Sequence, residues 1–317
     1  MTCRSYSLGL ERALTDFGSD DSFAKAVAKV KEHYRIDVPE SGVRQVTYKH
    51  AKNAKQQEEL QTRLPTKGVA QVIAETDGCL IPIAKINEAK PAKDRRKQRQ
   101  LDWREARLSL ARRADSVSKY YRATLQEVEQ AGAQLLACVI KSGGGIHSKI
   151  HCVGDGAKWI VRQVEQQFEG QATYLIDFYH LSQYLAGAAE AMAERSPSWL
   201  PKQQERLKAN QSSAVLKQLA DKCEGEEVSD EQAAVRACVR YIKNRLEYLD
   251  YQGAIAKGLP IGSGEVESGH QSVIQARMKL SGAWWKEENA ENMLALRTLR
   301  ASGEWQSYWD DVRQAAA

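Results

Sequence analysis

The sequence predicts an α/β protein in which a mixed sheet is interrupted by an all-helical block and preceded by a helical N-terminal region. Three observations carry this. Apolar residues recur at helical spacing through residues 8–55. Strand-like runs begin at Gly68. Between residues 181 and 258 helical spacing returns with no strand signal inside it. The chain has 317 residues, 42% hydrophobic and 27% charged, enough for one large core or two to three small ones. The longest apolar runs, such as 135–140, are a fraction of a bilayer span, and the opening residues lack a secretory pattern. Six cysteines without a Cys-x-x-Cys pair fit reduced thiols in a cytoplasm and argue against a zinc ribbon or a disulfide framework.

The elements follow in order. Residues 8–35 read as helix, with Phe23, Val27, Val30 and Tyr34 on one face behind Asp21 as a cap. After a break at 35–42, a second helix from about Val43 to Lys55 presents Arg44, Lys49, Lys52 and Lys55, a helix-turn-helix-like outline. Residues 69–76 read as a strand, Asp77-Gly78 as a turn, and 79–84 as the returning strand of a hairpin. Glu105 to Ala111 alternates like a third strand, and a long helix is expected from about Lys119 to Ile140. Then come a strand at 149–153, a turn at 154–156, a helix at 157–168, a strand at 172–176 and a helix after Asp177. The chain from Ser263 is helical again, broken near Ser281-Gly282 and Ser302-Gly303. Three antiparallel strands, a helix, two strand–helix units and a terminal helix is the order of an RNase H-like domain. The expected division is 1–66 helical, 67–180 first part of the core, 181–258 helical insertion and 259–317 final helices.

The net charge of +5 is unevenly spread. Residues 85–113 hold eleven Lys/Arg against four acids, a local +7 that leaves −2 for the rest. That is the footprint of a polyanion binder, and equally of a solvated loop without a partner.

Candidate chemistry lies in acids at strand ends beside glycine. Asp77 closes the first strand, Asp155 sits between Gly154 and Gly156, and Glu267 lies in the first turns of the helix opened by Ile261-Gly-Ser-Gly264. In an RNase H-like sheet the three converge, and their mutual repulsion suits a pair of Mg²⁺ ions, which take oxygen ligands. Two metals can activate an attacking oxygen and stabilise a leaving one. Singly, each acid also has a plain reading as a turn or helix-end residue. Glu265 competes with Glu267, because the two lie about 200° apart on a helix and only one can face the metals. Asp177 and His180 share one face of a strand-to-helix junction, where Asp177 can equally act as a helix cap. The run Ser142-Gly-Gly-Gly145 lacks phosphate-loop spacing, and His147, His151 and Cys152 have no partners to complete a zinc site.

Several segments resemble the ISKra-type bacterial insertion-sequence transposases. They are Gly154-Asp-Gly-Ala-Lys-Trp-Ile160, Leu175-Ile-Asp-Phe-Tyr-His-Leu-Ser-Gln-Tyr-Leu185, Leu259-Pro-Ile-Gly-Ser-Gly-Glu-Val-Glu-Ser268, Arg277-Met-Lys-Leu-Ser-Gly282 with Trp285, and Gly303-Glu-Trp-Gln-Ser-Tyr-Trp309. Asp77-Gly78, Trp103-Arg-Glu-Ala-Arg107 and Asn244-Arg-Leu-Glu-Tyr248 fall in matching order, so the likeness runs from about residue 68 onward. The resemblance implies an acid-triad transposase. Its ligands for Mg²⁺, with Mn²⁺ as a substitute, would be Asp77, Asp155 and Glu267, and it favours Glu267 over Glu265. Asp177 and His180 match an accessory acid-x-x-His signature. The chain departs from the family at Gly269-His270-Gln271 and at Ala283-Trp284. The family pattern also has a longer N-terminal region with paired cysteines where this chain has Cys3 alone, which implies a truncated start.

On this reading the protein cuts double-stranded DNA at terminal inverted repeats and joins the freed 3′ end to target DNA, as a homodimer or larger assembly in the bacterial cytoplasm, nucleoid-associated when bound. DNA contacts are expected from Arg44, Lys49 and Lys52, from Arg95, Arg96, Lys97, Arg99, Arg104 and Arg107, and from Arg277, Lys279 and Trp285. Trp284 or Trp285 could stack on an unpaired base, with at least one of the pair belonging to the core. A truncated, non-cleaving repressor and a general RNase H-like nuclease are the alternatives.

Overall fold

In the computed structural model, residues 6–58, 63–86, 98–193 and 196–316 are described. Three helices open the chain: α1 (Leu8–Asp20), α2 (Phe23–Tyr34) and α3 (Glu40–Gln56). The single helix expected over 8–35 is therefore two. The break falls at Asp21-Ser22, where the Ser22 side chain accepts the Lys25 amide and so starts α2, while Asp21 pairs with Lys25 and Lys29. Leu14, Ala26, Val30, Val43 and Val46 form a small core among the three helices. The other end of α3 places Ala51 and Ala54 in the main core against the C-terminal helices, and His50 bonds Glu11 and Tyr308. The N-terminal helices are thus built into the body of the protein.

The sheet has the order β3-β2-β1-β4-β5, from β1 (Gln71–Ile86), β2 (Arg99–Arg113), β3 (Tyr120–Thr124), β4 (Lys149–Gly154) and β5 (Ala172–Ile176). The first three strands run antiparallel; β4 lies parallel to β1, and β5 to β4. Two expectations are corrected here. Asp77-Gly78 is not a turn: β1 runs unbroken through it, with Asp77 opposite Leu108 and Gly78 opposite Arg107. An Asp-Gly pair turns the chain only where the strands on either side of it pair with each other. Here both sides pair with β2, whose expected extent of 105–111 was too short. Residues 120–124, expected to begin a helix, form strand β3 on the edge of the sheet, and the helix that follows, α4 (Val128–Lys141), starts later.

One face of the sheet buries Val72, Ala74 and Ala111 against α4 and α5 (Lys158–Phe168) through Leu135, Val139, Ile160 and Val164. The other face carries Ile81, Ile83, Leu108 and Leu110. Over it lie α11 (Gly264–Gly269), a π-helical turn (His270–Gln275), α12 (Ala276–Met278), α13 (Glu287–Ala301) and α14 (Trp305–Ala315). Between β5 and α11 the chain forms α6 (Phe178–Ala191), α7 (Trp199–Lys208), α8 (Ser212–Ala220), α9 (Ala234–Lys243) and α10 (Tyr251–Ala256). These close around Leu181, Leu185, Leu207, Leu219, Ile242 and Tyr251, as the strand-free pattern predicts. No helix among the described residues is long and apolar enough to cross a membrane.

Candidate functional site

The site begins with strand register. Parallel β1 and β4 pair Glu75 with Val153, so two residues further on Asp77 and Asp155 come level. Side chains alternate along a strand. Ile73, Glu75, Asp77, Ile81 and Ile83 therefore share the face covered by α11 and α13, and Asp155 continues that face just beyond the end of β4. The Asp155 loop is held from several sides. Its Oδ1 accepts the Ala157 amide at 2.8 Å, and its carbonyl accepts the Tyr241 hydroxyl at 2.5 Å. Gly156 has φ +79°, its amide donates to the Tyr174 hydroxyl, and its carbonyl accepts from Arg245. A Cβ at Gly156 would come within 2.6 Å of Arg245 Nε, so only glycine fits. Tyr241 and Arg245 belong to the helical insertion, which thereby clamps the Asp155 turn.

Glu267 of α11 and His270, the first residue of the π-helical turn that continues it, are three residues apart and lie on one side. His270 Nε2 stands 3.3 Å from Asp77 Oδ2, an ion pair without the alignment of a good hydrogen bond. Burial disfavours the imidazolium, but the proximity of Asp77 and Cys79 outweighs it and lifts His270 to about 9. Glu267 is exposed, and its side chain has no partner among the described residues. Glu265 is gripped by Arg112 at 2.7 Å and lies 3.4 Å from Lys119; burial works against its charge, but Arg112 and Lys119 still hold its carboxyl below the usual range.

Glu75 is a site acid that the sequence does not single out, because it lies inside a strand rather than at a strand end or helix start. It is 1% exposed on the site face of β1. Its Oε2 accepts the Val266 amide at 2.7 Å, and Oε1 has no partner. Burial, with Glu265 and Asp177 adding to it, raises its carboxyl to about 8 against the opposing pull of the Val266 amide and Arg112. Glu75 is thus a neutral acid at pH 7 that fixes α11 to the sheet between Asp77 and the helix. The available signal was a lone acid in the otherwise apolar run Val72-Ile-Ala-Glu75.

Asp177 is buried at the start of α6. Its Oδ1 accepts the amides of Tyr179 and His180, and its Oδ2 accepts the amide and hydroxyl of Ser263. Both oxygens are occupied, so the geometry carries the capping role, and Asp177 also ties down the approach to α11. His180 is half-buried, with its ring against Tyr184 and Tyr241 at 5.5 and 5.8 Å. The donors at Asp77, Asp155 and Glu267 are all carboxylate oxygens, the chemistry a hard divalent ion takes, and one oxygen of Asp155 is left unbonded. As placed, no three His, Cys, Asp or Glu among the described residues are close enough to hold one ion. The Gly143–Gly145 loop packs on the backbone of residues 65–68, and its Gly145 amide donates to Ser148 Oγ, so it makes no phosphate cradle. The described cysteines are all free.

The expected DNA-binding residues divide. Arg44, Lys52, Arg99 and Lys279 are exposed. Lys49 pairs with Glu11, Arg104 with Glu287 and Arg107 with Glu105. Arg95, Arg96 and Lys97 lie outside the described residues. Two expectations are corrected. Trp285 is 3% exposed, donates to the Met278 carbonyl and adds a bridge to Ile83 of β1. Arg277 is 2% exposed, donates to the Gly18 carbonyl and lies between Phe23 and Trp285. Neither presents an open surface, whereas Trp284 is 46% exposed.

No curated protein matches the sequence. Residues 144–313, which span the Asp155 loop, the helical insertion and the α11–α14 cap, match an uncharacterised protein family, UPF0236, and the chain belongs to that family.

Proposed function

We propose that this protein is an RNase H-like, Mg²⁺-dependent DNA transposase that cuts at transposon ends and transfers the freed strand to target DNA. The observation that carries the reading is the placement of Asp77 on β1 beside the Asp155 turn that follows the adjacent parallel strand β4, with α11 across them bearing Glu267. The strand order, with an antiparallel β1–β2–β3 unit extended by parallel β4 and β5, supports it.

Asp77, Asp155 and Glu267 would hold the divalent ions, which when bound supply an activated attacking oxygen and stabilise the leaving one. The chain's own residues set the stage for that chemistry. Glu75 and Asp177 fix α11 and its approach, and Tyr241 and Arg245 hold the Asp155 turn. Arg112 and Lys119 neutralise Glu265 and keep it out of the ligand set. The exposed cations of α3 and of the β1–β2 hairpin would position the DNA backbone, which makes binding steeply salt-dependent.

The test incubates the protein and its Asp155→Asn variant with Mg²⁺ and DNA bearing the element's own terminal repeats. Strand cleavage by the parent and its loss in the variant are expected. Equal cleavage by both proteins sinks the assignment. Equal cleavage of DNA without repeats assigns a general nuclease instead, and binding without any cleavage a repressor.

A further inference from the structure

A cleft of about 770 Å³ lies between the N-terminal helices and the 280–286 segment, reaching β1 at Ala84 near its end. Its volume is in the range of about 300–1,000 Å³ usual for small-ligand sites. Four cations line it, Arg44, Arg99, Arg277 and Lys286, against one acid, Glu40. None of the four makes an ion pair among the described residues. Arg277 is the telling one. Arg297, also buried, is given a carboxylate, Asp20, besides three carbonyls. Arg277 has one carbonyl and two aromatic faces, 4.9 and 4.8 Å from its guanidinium, and it lines the cleft. A buried cation without a counter-ion is costly. Rings alone could steady Arg277, but they give no reason for three further unpaired cations around the same opening. Trp284 also lines the cleft, and among the described residues its half-exposed ring stacks on nothing in the protein.

We infer that this cleft binds an unpaired nucleotide of a DNA strand, with the base stacked on Trp284, the flanking phosphates met by Arg44, Arg99 and Lys286, and the buried charge of Arg277 in the wall behind them. Stacking explains an exposed tryptophan beside a basic rim, since every base offers a π face and the backbone offers charge. The inference rests on the chain working on DNA but not on its cutting DNA.

The test is fluorescence anisotropy of the full chain with a labelled single strand of mixed sequence, in EDTA so that cleavage plays no part. Trp284→Ala should weaken binding roughly five- to a hundredfold, with Trp284→Phe restoring most of it. An abasic strand should bind the parent as weakly as the intact strand binds Trp284→Ala. Arg44→Gln with Lys286→Gln should lower the slope of log affinity against log salt by about 1.4, two phosphates at about 0.7 each. Unchanged affinity in Trp284→Ala, equal binding of abasic and intact strands, or tighter binding of a blunt duplex would each overturn the inference. Asp155→Asn separates the two readings: it should keep strand binding while terminal-repeat cleavage is lost. Trp284-dependent binding by a parent that never cuts leaves the cleft standing and removes only the transposase.

Discussion

Glu75→Gln tests the buried acid at the centre of the site. In the folded chain its carboxyl keeps its proton up to about 8, whereas an ordinary glutamate loses it near 4.5. Between those values the native state holds a proton that the unfolded chain has released. Stability is therefore fully present below about 4.5 and falls as pH rises through about 8. At about 1.36 kcal/mol per pH unit, the gap is worth at most about 5 kcal/mol, and relaxation with water entry reduces it to at least about 2 kcal/mol. The charged groups bearing on the carboxyl come from several elements: Arg112 of β2, Glu265 of α11 and Asp177 at the start of α6. Tyr121 of β3 and Cys152 of β4 are in turn pushed up to about 12, Glu75 adding to the burial of each.

Glutamine cannot ionise, and its carbonyl can still accept the Val266 amide. Its NH₂ falls where Glu75 Oε1 already lacks a partner, so at low pH the two proteins should differ by no more than about 1–2 kcal/mol. The assay is urea denaturation of both proteins at pH 5, 7 and 9 in EDTA, with stability read from midpoint and slope. The variant should gain at least about 2 kcal/mol on the parent between pH 5 and pH 9. His270, lifted to about 9, also destabilises the fold as pH rises, but it is present in both proteins and the difference largely removes it. Parallel curves, with a difference constant to about 0.5 kcal/mol, would refute the account of Glu75 as a neutral buried acid.

Trp285→Ala should cost about 3–5 kcal/mol, because it removes a buried ring, its bond to Met278 and a prop under Ile83. Chemical denaturation measures this, and a loss under about 1 kcal/mol would return Trp285 to the surface. Gly78→Ala should change stability by no more than about 1 kcal/mol, since its Cβ meets only the half-exposed Glu105 side chain, which can swing aside at the expense of its pair with Arg107. A loss above about 2 kcal/mol by urea denaturation would show that Glu105 is fixed in place.

How the sequence succeeded and failed has one physical origin. Periodicity reports which residues seek burial; it is silent about which strand is their neighbour. The expected count of three antiparallel strands agrees with the structure, yet through two errors that cancel. β1 was cut in half at Asp77-Gly78, and the aromatic and β-branched signal of Tyr120, Tyr121 and Thr124 was absorbed into the helix behind it. The glycine-flanked Asp155 was legible because a turn that also bears a site needs small neighbours, and Gly156 at φ +79° is one. Glu75 was not legible. Its meaning depends on the Val266 amide, 191 residues away, and no local pattern encodes that contact. The insertion was easiest to see, since its helices bury apolar stripes largely against one another and need little outside help.

Folding redistributes the basic surplus. Counted along the chain, residues 85–113 carry a surplus of seven positive charges. Folded, Lys85, Arg104, Arg107, Arg112 and Arg113 are each bound to a carboxylate, and among the described cations of that segment Arg99 alone has none. An exposed pair is weak, and a nucleic-acid phosphate could displace it. The Arg112–Glu265 pair is half-sheltered and serves the site by taking Glu265 out of competition, so it is not free to be displaced. Of the described cations expected to meet DNA, Arg44 and Lys52 of α3, Arg99 and Lys279 make no ion pair, and Lys286 joins them; Lys149, Lys158, Arg162, Lys243 and Lys257 elsewhere on the chain are likewise without a carboxylate among the described residues. Three of these, Arg44, Arg99 and Lys286, line the one cleft where Trp284 waits unstacked. A surplus spread along a strand would have favoured a duplex laid across the sheet. The grouping of three unpaired cations around one aromatic opening is what the proposed single-strand site would use.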